Sequence, residues 1–130
     1  MRDFVDVALA FRGTPYLWGG RTSLGVDCSG LVQLASEAAG LPCPRDADMQ
    51  AKEVGSALDW QRAPLARGDL VFWDGHVGIM TSAQDLVHAS AYHMVVVEEP
   101  LAEAKARIAA ASGGDVIGAR RPEGLSRAGC

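Results

Sequence analysis

The sequence predicts an α+β domain, with helices packed on one side of a small antiparallel sheet or half-barrel. Three observations carry this reading. Apolar residues recur at helical spacing near the N-terminus, short runs of branched and aromatic residues follow, and Asp74-Gly75 between two of those runs is a hairpin-turn signal. Helices first and a strand meander afterward is the order of an α+β chain.

Taken in order, Asp3 to Phe11 places Phe4, Val7, Ala8 and Phe11 on one face, a short helix ended by Gly13 and Pro15. A turn-rich stretch from Trp18 to Val26 leads to Asp27, a good N-cap. The helix that follows carries the apolar run from Leu31 and is stopped by Gly40. Pro42-Cys43-Pro44 breaks the chain, and Asp46 can cap a third short helix through Glu53, closed by Gly55. Ala57 to Ala66 reads as a linker. Strands are expected at Asp69–Trp73, His76–Thr81, Asp85–Ala89 and Met94–Glu98, then a helix from Leu101 to Ala111 and a last strand from Asp115 to Arg120. There is no repeat and no low-complexity segment. The 130 residues form one expected domain, residues 1–130, with a short polar tail at 122–130.

Composition excludes several functions. With 48% hydrophobic and 22% charged residues the profile is that of an ordinary soluble globular domain. A net charge of −4 without a Lys/Arg cluster argues against nucleic acid as a partner. No apolar run reaches the roughly 18 residues of a membrane span. Asp3 and Asp6 stand where a secretory leader would be apolar, so as it stands the chain is expected in the cytoplasm; it is exported if it is a fragment or is delivered by a partner. Cys28, Cys43 and Cys130 are an odd set without C-x-x-C spacing, which suggests neither a disulfide framework nor a zinc ribbon.

Of these, Cys28 has a context that would activate sulfur. In D-C-S-G it falls in the first turn of a helix, where unpaired N–H groups and the macrodipole favour a thiolate, the nucleophilic form. His76 opens a strand after the hairpin turn, and His88 lies near the end of the next. Neighbouring antiparallel strands could bring them side by side. A cysteine hydrolase needs a base for the thiol proton and a third group to orient that base. Cys28, His76 and His88 could fill those roles. Plainer readings stand beside this one: Cys28 as an inert core cysteine, His76 as a solvated hairpin residue, and His88 as a satisfied core histidine. His93 reads as a surface loop residue. A metal reading of Cys28, His76 and His88 lacks a fourth ligand, so no metal and no cofactor is expected.

A resemblance raises the first reading above these. P-Y-L-W-G-G (Pro15 to Gly20), D-C-S-G-L-V (Asp27 to Val32), P-R-D-A-D-M-Q (Pro44 to Gln50), R-G-D-L-V-F-W (Arg67 to Trp73), H-V-G-I-M (His76 to Met80) and L-V-H-A-S (Leu86 to Ser90) occur in that order. Together they resemble the NlpC/P60 family of bacterial cell-wall peptidases, papain-like cysteine enzymes, over roughly residues 5–121. The resemblance implies a fold in which the Cys28 helix packs on a sheet or partial barrel carrying both histidines. It implies Cys28 as nucleophile, His76 as general base, His88 as the orienting member, and Tyr16 as a group near the oxyanion with the Cys28 N–H. It places Trp18, Asp27, Ser29, Arg45 and Asp46 at the substrate cleft, with the Asp27 carboxylate free to pair with a peptide amine; for Arg45 and Asp46 a loop ion pair capping the third helix is an equal reading.

Family members with this motif set cut the γ-D-glutamyl–diamino acid bond of peptidoglycan stem peptides. The pattern is most like the dipeptidyl-peptidase VI type, so peptidoglycan-derived peptides are the implied partner. Those relatives carry SH3-like domains N-terminal to the peptidase. Here the motifs begin within the first fifteen residues, so such a domain is expected only as a fused or associated partner. Ala47 stands where some relatives have serine. An amidase or acyltransferase on the same scaffold, or a non-catalytic wall-binding or assembly module, are the alternative functions, and the oligomeric state is left open.

Overall fold

The computed structural model describes residues 3–17, 20–22, 25–40, 43, 45, 50, 56–59, 64–90, 92–111 and 114–121. The expected third helix lies outside the described residues, apart from Gln50, which is helical. So do Trp18, Asp46, Cys130 and the tail.

Helix α1 (Phe4–Ala10) starts where the Asp3 carboxylate accepts the Asp6 N–H at 2.9 Å, and it buries Phe4, Val5, Val7 and Ala8. The chain then runs beside a later strand: the Tyr16 N–H donates to Met94 O at 2.8 Å, and Pro15 bridges Val95. A two-stranded ribbon, β1 (Arg21–Thr22) and β2 (Gly25–Val26), delivers Asp27 to the start of α2 (Cys28–Ala38). Tyr16 bridges Val26 in parallel, which brings it next to the start of α2.

The main sheet is antiparallel throughout, in the order β3-β8-β4-β5-β6-β7. Its strands are β3 (Ser56–Leu58), β4 (Leu70–Trp73), β5 (His76–Met80), β6 (Asp85–Ser90), β7 (Val95–Pro100) and β8 (Gly118–Arg121). Strands β4 and β5 join through Asp74-Gly75 with Trp73 opposite His76, and Gly75 takes the left-handed φ of 77° that makes the turn possible. Strand β3 falls at the start of the stretch read as a linker. Ser-Ala-Leu shows no alternation of its own and is a strand only through pairing with β8.

Side chains alternate between two packed layers. Leu70, Phe72, Val77, Ile79, Val87 and Ala89 point to one face and pack with α1 and α2 around Phe4, Leu31, Val32 and Ala35. Val71, Trp73, Met80 and Leu86 point to the other face and pack with Ala104 of α3 (Leu101–Ala110) and Val116. The helices therefore cover both faces, where the sequence suggested one. The late helix returns to the sheet because Leu101, Ala104 and Ile108 share a stripe at helical spacing. Among the described residues no helix is long and apolar enough to cross a membrane.

Candidate functional site

Asp27 shapes the start of α2. Its Oδ1 accepts the Gly30 N–H at 2.6 Å, the N-cap bond the sequence anticipates. The cap leaves Cys28 in the first turn, 8% exposed. Its thiol donates to Gly75 O at 3.8 Å. The Val77 N–H favours the ionised sulfur, so the main chain next to His76 acts on Cys28 electrostatically. Among the described residues the thiol is bonded to that main chain and not to an imidazole nitrogen.

The electrostatics of Cys28 differ from the expected thiolate. Burial pushes the thiol above its ordinary 9.0, and the Asp27 charge adds to this; the N–H groups of Val77, Ser29 and Cys28 pull the other way without overcoming it. The helix-terminus argument named a real effect and missed a larger one, desolvation. Tyr16 lies within reach of this charge. Its phenol is raised by burial, then by Cys28 and Asp27.

The histidines meet as anticipated. His76 Nε2 and His88 Nδ1 are 2.7 Å apart, with ring centroids at 5.0 Å and planes at 66°. Trp73 flanks the His76 ring at 5.5 Å. His88 is buried, and its Nε2 lies 2.6 Å from Glu99 Oε2 on β7. Arg107 of α3 closes the series with two bonds to Glu99, at 2.9 and 2.6 Å, and its guanidinium sits 4.8 Å over the Tyr92 ring. All of this lies on the α3 face. Gly78 makes it fit, because a Cβ there would run into Leu86 Cδ1 and lie 3.4 Å from His88 Cβ.

This environment keeps both imidazoles neutral. Burial lowers His76 from the ordinary 6.5 to about 3, helped by His88 and Arg107 and opposed by Glu99. Burial lowers His88 too, against the bond and charge of Glu99. For Glu99 burial alone would raise the carboxyl, but hydrogen bonds from Arg107 and His88, with their charges, hold it at about 2. The His76 ring is thus half-buried and neutral rather than a solvated hairpin residue. Beside it a cavity of about 220 Å³ is lined by Trp73, Asp74, His76, Tyr92, Arg107 and Ile108, among others.

The expected amine pocket is arranged differently. Arg45 Nη1 and Nη2 each lie 3.1 Å from an Asp27 carboxylate oxygen, and Nη1 also donates to Ser29 Oγ at 3.0 Å. The Asp27 carboxylate therefore already holds a cation from its own chain, a planar fork matching a planar carboxylate. Of the two readings of Arg45, the structure places it at the Cys28 helix start. Asp46 and Trp18 lie outside the described residues.

Three residues escaped the sequence reading. Gln50, buried, donates from Nε2 to Ser29 O at 3.1 Å and so braces the first turn of α2. Glu99 lies one residue past the expected end of β7 at Glu98, and Arg107, inside the expected helix, gains its place only through its bonds to Glu99. With Val97 opposite His88, Glu99 is the diagonal neighbour on the same face, a relation visible only once the register is known.

Comparison with known proteins gives a consistent picture. The model of the NlpC/P60 family matches residues 13–116. Over 88 residues the chain is 38% identical to Dipeptidyl-peptidase 6 of Lysinibacillus sphaericus, covering 68% of this chain and 32% of that protein. Over 96 residues it is 38% identical to the Gamma-D-glutamyl-L-lysine dipeptidyl-peptidase of Bacillus subtilis (strain 168), covering 67% of this chain and 31% of the other. The crystal structure of an NlpC/P60 family protein from Bacillus cereus ATCC 10987 superposes with a TM-score of 0.76 at 28% identity, over 92% of this chain and 39% of that one. The chain spans about a third of the length of these curated relatives.

Proposed function

Because this chain belongs to the NlpC/P60 family, we propose that it is a cysteine peptidase that hydrolyses the γ-D-glutamyl–diamino acid bond of peptidoglycan stem peptides or muropeptides. The observation that carries the reading is the placement of His76. Its ring is held neutral and bonded through Nε2 to His88, which leaves Nδ1 for chemistry, while the Cys28 sulfur lies against the backbone flanking it. Turnover requires the thiol to exchange Gly75 O for His76 Nδ1, a tightening of the kind resting active sites undergo when substrate binds.

In this scheme the thiol proton passes to His76 Nδ1 as sulfur bonds to the glutamyl carbonyl carbon. The oxyanion is met by the Cys28 N–H at the α2 terminus and by the Tyr16 hydroxyl. His76 then returns the proton to the departing amine, the C–N bond breaks, and a thioester remains. Water, deprotonated by the same Nδ1, releases the acid and restores the thiol. Because Cys28 starts from a raised pKa, His76 acts as a true general base and not as half of a standing ion pair.

The test is mass spectrometry of products from defined L-Ala-γ-D-Glu-diamino acid peptides. Wild type is expected to release the diamino acid, and Cys28→Ala to lose about a thousandfold or more in rate with an unchanged circular dichroism spectrum. The thiol's bond to Gly75 O favours one other reading, a non-catalytic wall-binding module. That reading requires wild type and Cys28→Ala to bind muropeptides equally and neither to cleave them.

A further inference from the structure

We propose that Glu99 is a positioning residue, fixed by Arg107, that sets which nitrogen of His76 is bare. The inference rests on the peptidase reading for its kinetic consequence only; its structural content stands on the hydrogen bonds themselves.

The hydrogen-bond series runs inward from α3. Arg107 only donates, so both of its bonds make the Glu99 oxygens acceptors. An ionised carboxylate cannot donate, hence the 2.6 Å contact to His88 needs a proton on His88 Nε2. A neutral His88 then has a bare Nδ1, which must accept across the 2.7 Å contact from a proton on His76 Nε2. A neutral His76 with Nε2–H has its lone pair at Nδ1. Three contacts therefore carry the charge state of one carboxylate to the opposite side of a ring two residues away. Without Glu99 nothing in the series prefers His88 Nε2–H over Nδ1–H, and a His88 protonated at Nδ1 would reverse His76.

The charged and titratable groups facing this series come from each element around it: Glu99 from β7, Arg107 from α3 and His93 from the turn between β6 and β7. Tyr92 and Glu103 act on Arg107. Of these, Glu99 and Arg107 touch the series directly, so the arrangement needs the Arg107–Glu99 fork intact.

The experiment is long-range proton–nitrogen correlation NMR of the imidazoles in 15N-labelled full chain near pH 7, run with hydrolysis kinetics on the same samples. In wild type both His76 and His88 are expected to carry the proton on Nε2. Glu99→Met, which removes the acceptor, is expected to populate Nδ1–H on His76 and to lower kcat roughly 10–100-fold with KM little changed, the scale on which a metal-bound imidazole responds to losing its hydrogen-bond partner. Glu99→Gln keeps an acceptor oxygen, so it is expected to keep the tautomer and recover most of the rate.

A wild-type His76 protonated at Nδ1 overturns the proposal, and so does a Glu99→Met chain with wild-type tautomers and kcat. Should Glu99→Met fail to fold, the wild-type spectrum and Glu99→Gln still decide. The expected tautomers without peptide cleavage would remove the peptidase reading and leave the role of Glu99 standing; cleavage with the opposite tautomer would do the reverse.

Discussion

The two faces of the central sheet are built from different chemistry. Under α1 and α2 the sheet presents Leu70, Phe72, Val77, Ile79 and Val87, and Cys28 enters that layer from the start of a helix. Under α3 the apolar layer of Val71, Trp73, Met80 and Leu86 shares its face with His76, His88 and Glu99, bonded in series to Arg107. A strand cannot aim two successive side chains at one face, so Val77 packing toward α2 commits His76 to the other side. A cysteine on one face and a histidine on the other can meet only where the sheet ends. That place is the Asp74-Gly75 turn, and there the Cys28 sulfur touches Gly75 O. The site is thus assembled around a sheet end, with each partner anchored in its own layer.

Substituting Gly78 breaks this division most directly. It sits one residue beyond Val77 on the α3 face, with Leu86 and His88 lying where a side chain would go. Gly78→Val is expected to cost about 1–3 kcal/mol, the range for overpacking a close-fitting core. It should also displace His88 and so reduce hydrolysis by more than the loss of folded protein explains. A urea denaturation series with rates scaled to folded fraction checks both. Unchanged stability would mean that Leu86 swings aside freely and that the α3 layer is looser than described.

The second prediction sharpens the electrostatic contrast. Desolvation keeps both His76 and Cys28 neutral, since it shifts a base down and an acid up. Alkylation of Cys28 by iodoacetamide, in a chain carrying Cys43→Ala and Cys130→Ala, should therefore show its midpoint above 9.0 and run slower at pH 7 than an unstructured cysteine peptide. A midpoint well below that value would mean that a thiolate–imidazolium pair already stands in the resting protein, and that the two faces are coupled without substrate.

Local signals in the sequence located much of this. Asp27 as cap, Asp74-Gly75 as turn and the apolar runs of β4 to β6 are short-range features, legible because neighbours in sequence decide them. The rest depended on distance. Strand β3 exists only against β8, and Glu99 reaches His88 only through the β6–β7 register. The thiol of Cys28 illustrates the physical limit most clearly. A helix N-terminus can be read from sequence, but the desolvation that outweighs it comes from elements packed around it.

The smallest expected effect concerns Asp27, beside the thiol on the α2 side. A free L-alanine amine at the substrate terminus would find this carboxylate forked by Arg45, with both oxygens engaged at 3.1 Å. Its approach would exchange one cation for another instead of filling an empty acceptor. The Asp27 side chain is 14% exposed and that of Arg45 31%, so the resident guanidinium and an incoming amine would meet the carboxylate in the same partly buried setting. Replacing one pair by its equal leaves little net gain. The chain should therefore favour L-Ala-γ-D-Glu-diamino acid over its N-acetylated form by less than about tenfold in kcat/KM, a difference of about 1.4 kcal/mol. Arg45→Ala should raise the ratio, because it removes the resident cation from the carboxylate that the amine would meet. A wild-type preference far above tenfold would mean that Arg45 leaves Asp27 when substrate binds, and that the Asp27–Arg45 pair, unlike the Glu99–Arg107 pair across the sheet, is a gate and not a brace.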